Sequence, residues 1–214
     1  MSEHAHDHGS DHDHTHPNQP DIDSEPMGHY QLMGSALSEL LIEKGVITAD
    51  ELRSAIENVD SRSPEGGARV VAKAWTDPGY KARLLENGTA AVDELGIDMP
   101  ATHLVVVENT DKVHNLIVCT LCSCYPRMLL GLPPDWYKAQ AYRSRVVREP
   151  RAVLKEFGTE LKDDVEIRVH DSTADMRYLV LPRRPDGTED MSEEDLLGLI
   201  SRDCMIGVTL PKSS

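Results

Sequence analysis

Three of the four cysteines in this 214-residue chain fall within six residues, Cys119-Thr120-Leu121-Cys122-Ser123-Cys124. They follow the apolar run Leu116 to Val118 directly. A loop that gathers three thiols can offer all of them to one metal ion. A zinc site would add a fourth ligand from elsewhere, such as a second C-x2-C or a spaced pair of histidines. Cys204 stands alone far downstream, and no histidine pair after the N-terminal tail has that spacing.

The C-x-x-C-x-C spacing offers something a zinc knuckle does not. Cys122 and Cys124 flank one residue, so the backbone nitrogens of Ser123 and Cys124 lie between their sulfurs. If those amides ionise, they join the three sulfurs around a small trivalent ion and leave one octahedral position open. An open position on a Lewis acid is what metal-assisted hydration needs. Soft thiolate donors favour iron, cobalt or copper over magnesium or calcium.

At these residues the chain resembles the nitrile hydratase alpha subunits, whose claw motif matches Cys119 to Cys124. Thr120 and Tyr125 resemble the cobalt branch of that family rather than the iron branch. The likeness continues through Leu130-Gly131-Leu132-Pro133-Pro134-Asp135-Trp136-Tyr137-Lys138 and Tyr142-Arg143-Ser144-Arg145-Val146-Val147-Arg148-Glu149-Pro150-Arg151. It ends in Arg177-Tyr178-Leu179-Val180-Leu181-Pro182 and Asp203-Cys204-Met205-Ile206-Gly207-Val208. The resemblance implies an α+β fold, an N-terminal helical arm followed by a layered α-β-β-α sandwich. It also implies one non-corrin Co(III) per chain, held by Cys119, Cys122, Ser123 and Cys124, with Ser123 and Cys124 at the chemistry. Cys122 is expected as the sulfinate, Cys124 as the sulfenate and Cys119 as the thiolate. Implied partners are a beta subunit in an α2β2 assembly, which supplies two arginines to the cysteine oxygens, a cobalt-loading activator protein and a small nitrile substrate. The expected reaction is hydration of a nitrile to an amide, a lyase activity. The attack on carbon comes from hydroxide or from the sulfenate oxygen of Cys124.

Three segments are expected: a tail over 1–26, a helical arm over 27–66 and a metal-binding catalytic domain over 67–214. The tail interleaves His4, His6, His8, His12, His14 and His16 with acids, and is expected to be disordered for want of apolar residues. It either captures divalent metal or simply solubilises the chain. Its seven acids, with no Lys or Arg, carry −7 of the net −15. That charge argues against nucleic acid and acidic membranes as partners. No apolar run reaches the length of a membrane span, and no signal-peptide core follows Met1, so a cytoplasmic location is expected.

Helical periodicity places amphipathic helices over 29–44, ended by Gly45, and after the capping box Thr48-Ala49-Asp50-Glu51, with Leu52, Ala55, Ile56 and Val59 inward. Pro64-Glu65-Gly66-Gly67 reads as a break, before a helix carrying Val70, Val71 and Ala74. Asp77-Pro78 opens another, which ends at Asn87-Gly88. Strands are expected over 104–107, 116–118, 165–169, 178–181 and 206–210, with a helical turn over 135–141. Pro150 to Phe157 and the segment capped by Ser192 read as helices.

Tyr125 and Arg127 are candidates for the substrate pocket, Tyr125 being either a pocket hydrogen-bonder or a packed anchor. Nitrile hydratases usually place a Trp after this Tyr-Pro pair. Arg127 resembles instead the gamma subunit of thiocyanate hydrolase, whose substrate is an anion. That gives the alternative reading, and a non-catalytic cobalt carrier is a third. His103, His114 and His170 read as structural, Cys204 as core, and the run Arg143, Arg145, Arg148 and Arg151 as surface or inter-subunit pairing.

Overall fold

The computed structural model describes residues 28–212, so the expected tail lies outside the described residues. Two compact units divide the chain, Met1–Leu52 and Arg53–Ser214. Helix α1 (His29–Glu43) belongs to the first unit, and α2 (Ala49–Asp60) spans the boundary. The capping box at the start of α2 forms as its sequence demands. The Thr48 hydroxyl accepts the Glu51 amide at 3.1 Å, and the Glu51 carboxylate accepts the Thr48 amide at 2.7 Å. Neither helix has a fully buried residue; of the expected inward set of α2, Leu52 and Val59 are half-buried, and Ala55 and Ile56 are exposed.

Within the second unit, α3 (Glu65–Thr76) begins earlier than its glycines suggest. Gly67 lies inside this helix, where a Cβ would stand 2.6 Å from Leu130 Cδ2 and 2.8 Å from Met205 Sδ. The missing side chain serves close packing rather than a chain break. Asp77 caps α4 (Pro78–Glu86) by accepting the Tyr80 amide at 2.9 Å, and Asn87 caps α5 (Gly88–Asp93) in the same way.

Strands β1 (His103–Glu108), β2 (Val113–Val118), β3 (Glu166–Asp171) and β4 (Met176–Leu181) form two small sheets. β1 pairs in parallel with β4, and β2 in parallel with β3, with Val118 opposite Asp171. The architecture is thus mixed α and β. The sheets are linked by the turn between β1 and β2. There Asn109 Oδ1 accepts the Asn115 amide at 2.7 Å, and Asn115 Nδ2 donates to the Glu108 carbonyl at 2.7 Å. All three expected structural histidines fall on strands. His114 is buried between the Asn109 side chain and the Gly207 carbonyl, His170 meets Asn115 Oδ1 at 2.8 Å, and His103 is exposed.

Downstream of β2, the chain makes α6 (Arg127–Leu130), α7 (Asp135–Lys138) and α8 (Gln140–Arg145), where one helical turn was expected. Extended Ala139 separates α7 from α8. Helix α9 (Pro150–Glu156) stops before Gly158 at φ +79°, and Ser192 caps α10 (Glu193–Leu197), both as expected. The last expected strand, 206–210, is not one. α11 (Arg202–Ile206) occupies its start, capped by Ser201, whose hydroxyl accepts the Cys204 amide. Gly207 ends α11 at φ +94°, where a Cβ would collide with the Asn115 carbonyl. An apolar run beside a glycine therefore became a helix terminus docked on β2.

Candidate metal centre

β2 is buried almost throughout and delivers its last residue, Val118, straight into the cysteine loop. Cys119 is 1% exposed, whereas Leu121 at the tip of the loop is 89% exposed. Between them the chain turns sharply, and the Cys122 amide donates to Cys119 Sγ at 3.3 Å. Sulfur–sulfur distances are 3.4 Å from Cys119 to Cys122 and 3.3 Å from Cys122 to Cys124. All three sulfurs lie within 4.8 Å of one another, and all four cysteines are free thiols. Among the described residues this is the one group of three or more His, Cys, Asp or Glu that close together.

The donor chemistry fits a soft, strongly Lewis-acidic ion. The Cys122 thiol is drawn down to about 7, first by the Cys124 and Cys119 thiols, then by the backbone amides of Cys124 and Ser123. Burial pushes the Cys124 thiol up to about 12, with Cys122 adding to it and the Arg177 charge opposing it.

Three side chains hold the loop from outside. Asp171, facing Val118 across the β2–β3 pair, accepts the Thr120 amide at 2.9 Å and the Thr120 hydroxyl at 2.5 Å. Arg143 donates to the Thr120 carbonyl at 3.2 Å, and the Tyr137 hydroxyl donates to the Cys124 carbonyl at 2.9 Å. None of these roles was read from the sequence. Tyr137 and Arg143 lie in runs that resemble the family, but their partners are set by the fold. Arg145, from the same Arg-rich run, pairs with Glu149 and Glu156 on the surface. Arg148 and Arg151 bond to backbone carbonyls.

A cleft of about 390 Å³ opens over the loop, lined by Cys122, Ser123, Cys124, Tyr125 and Arg127 together with Arg62 and Arg177. The Ser123 hydroxyl has no partner among the described residues. Tyr125 is 3% exposed and stacks edge-on against Tyr137 at 5.1 Å, which is the anchor reading of that residue. Its hydroxyl is nevertheless buried without a hydrogen bond, and burial raises its pKa. Cys204 lies in the core, its thiol donating to the Ser201 carbonyl at 3.0 Å, remote from the three-sulfur cluster. A larger cleft, about 700 Å³, opens near the start of β2, and part of its charged lining is paired internally through Lys112–Asp164 and Arg183–Asp111. Among the described residues no helix is long and apolar enough to cross a membrane.

Two small parallel sheets presenting a three-thiol loop from a buried strand end define an α+β protein with a cysteine cluster that could hold a metal ion. The chain belongs to the nitrile hydratase alpha-chain family, whose model matches residues 29–209. It is 52% identical over 180 residues to the alpha subunit of the low-molecular weight cobalt-containing nitrile hydratase of Rhodococcus rhodochrous, covering 82% of this chain and 86% of that one. It is also 42% identical over 200 residues to the gamma subunit of thiocyanate hydrolase from Thiobacillus thioparus, covering 88% of this chain and 82% of that one. A solved recombinant thiocyanate hydrolase with partially modified cobalt centers superposes with a TM-score of 0.81 at 41% identity, covering 87% of this chain and 92% of that one.

Proposed function

We propose that this chain is the metal-binding catalytic alpha subunit of a cobalt nitrile hydratase, converting nitriles to amides. The observation that carries the reading is the convergence of the Cys119, Cys122 and Cys124 sulfurs within 4.8 Å on one loop. The sulfurs and the amide nitrogens of Ser123 and Cys124 would hold Co(III), one per chain. Bound there, the ion supplies Lewis acidity to the nitrile. The remaining work falls to the chain itself. Cys119, buried at the strand end, fixes the loop to the sheet. Asp171 and Tyr137 hold its two shoulders, so that Cys122 and Cys124 face the cleft. With Cys122 as sulfinate and Cys124 as sulfenate, the Cys124 oxygen would stand where it can take a proton from attacking water or attack carbon itself. The buried Tyr125 and the exposed Arg127 wall the cleft.

The two sheets are read as the centre of an α-β-β-α sandwich, 67–214 as the catalytic domain and 27–66 as an arm. The exposed apolar residues of α1, Leu32, Met33, Leu37 and Leu40, support an arm that covers a beta subunit in an α2β2 complex. A cobalt-loading activator protein belongs to the same reading. A second reading, the gamma subunit of a thiocyanate hydrolase, is favoured by Arg127 in the cleft.

Co-expression with the beta-type partner, followed by elemental analysis, mass spectrometry of the cysteines and assays on nitriles and thiocyanate, tests the proposal. One cobalt per chain, oxidised Cys122 and Cys124, and nitrile hydration support it. Hydrolysis of thiocyanate alone transfers the chain to the second reading. Loosely held cobalt with unmodified cysteines and no turnover would make it a carrier.

A further inference from the structure

The cleft over the cysteine loop has an unusual lining for so acidic a chain. Against 37 acidic residues and 22 basic ones overall, it presents three arginines and no Asp or Glu. None of the three is neutralised by a carboxylate. The Arg127 guanidinium has no partner among the described residues. Arg62 donates only to the Asn58 side chain at 2.7 Å, and Arg177 only to the carbonyls of Thr173, Ala174 and Met176. Each keeps donors to spare. Unpaired guanidiniums around a walled cleft focus a positive potential on it and match the planar fork of a carboxylate. Cys122 and Cys124 line the same cleft, so a short molecule can present one end to them and a charged end to the arginines.

We infer that the cleft selects small nitriles carrying a carboxylate, with Arg62, Arg127 and Arg177 as its specificity determinants. This rests on the nitrile hydratase reading above. For cyanoacetate the balanced reaction adds one water across the C≡N bond. The water oxygen bonds to carbon and both water protons end on nitrogen, giving malonamate. The carboxylate is a spectator, and no electrons are exchanged.

The test uses the cobalt-loaded complex with its partner subunit, comparing cyanoacetate with neutral propionitrile at equal cobalt content. Calorimetric binding of malonamate adds a readout independent of turnover. Wild type should favour cyanoacetate in kcat/KM, and raising salt from about 10 mM to about 200 mM should raise its KM but not that of propionitrile. Arg62→Gln and Arg127→Gln should each lower the cyanoacetate-to-propionitrile ratio about tenfold and weaken malonamate binding to match, while Arg127→Lys, which keeps the charge but loses the fork, retains only part of both. Arg177→Lys serves for the third position, since loss of its carbonyl contacts could disturb the loop. Ratios within about twofold of wild type in Arg62→Gln and Arg127→Gln would overturn the inference. If propionitrile is hydrated and cyanoacetate is not, the inference fails alone. If thiocyanate is hydrolysed and neither nitrile is, the nitrile reading fails and takes the carboxylate claim with it.

Discussion

Removing Asp171 should loosen the cysteine loop without touching a sulfur. Its carboxylate accepts two bonds from Thr120, one from the amide at 2.9 Å and one from the hydroxyl at 2.5 Å. A hydrogen bond to a charged group contributes roughly 1.5–3 kcal/mol, and exposure at this site reduces each to about 1 kcal/mol. Together they hold the loop in its closed form by about 2 kcal/mol, which corresponds to roughly 30-fold in an equilibrium constant. That falls inside the 10–100-fold range typical of residues that orient metal ligands. Asp171→Ala should therefore weaken Co(II) binding to the cobalt-free complex about 30-fold, and Asp171→Asn, which keeps one acceptor oxygen, by only a few-fold. In a double-mutant cycle with Thr120→Val, most of the Asp171→Ala effect should disappear. The assay is Co(II) titration of apo complex, with circular dichroism to show that the sheets survive. If Asp171→Ala bound cobalt within about twofold of wild type, the loop would not depend on this tether, and the positioning argument would be wrong.

Other consequences follow from single residues. Replacing Cys119, Cys122 or Cys124 by Ser should each abolish cobalt retention, whereas Cys204→Ser should keep it, because Cys204 only donates to a backbone carbonyl in the core. Equal loss in Cys204→Ser, read by elemental analysis, would refute the three-thiolate site. Gly207→Ala should cost about 3 kcal/mol or more, since a Cβ would collide with the Asn115 carbonyl at a left-handed φ of +94°. A melting temperature within a degree or so of wild type would contradict that packing. Burial holds the His114 imidazole below its ordinary range, although its bond to the Gly207 carbonyl acts the other way. The unfolded chain therefore takes up a proton near pH 6.5 that the folded chain resists, so stability present above that pH is lost as the pH falls. His114→Gln should flatten the decline of the melting temperature between about pH 7 and pH 5; an unchanged slope would assign the decline to other groups.

Features that depend on a few adjacent residues were legible without the fold. The three thiols are close because their spacing makes them so. The caps at Thr48, Asp77 and Ser192 work because a short polar side chain reaches an amide three residues on. Alternation and β-branching located all four strands, three of them to within two residues at each end, while β2 begins three residues before its expected start. What failed was local pattern without local cause. Ile206 to Leu210 reads as a strand, but the Ser201 cap and the approach of Gly207 to β2 make its start a helix end. Gly66 and Gly67 read as a break until Leu130 and Met205 are packed against Gly67. The tethers of the loop depend on the fold in the same way. Asp171 reaches Thr120 only because β3 runs parallel to β2 in the register that sets Asp171 beside Val118. Arg62, Arg127 and Arg177 come from three distant segments, and only the tertiary structure makes them one cleft. Periodicity reports which side of an element is apolar, and spacing reports what a loop can gather. Which distant charge faces a loop depends on strand order and register, which many residues set jointly and no local pattern encodes.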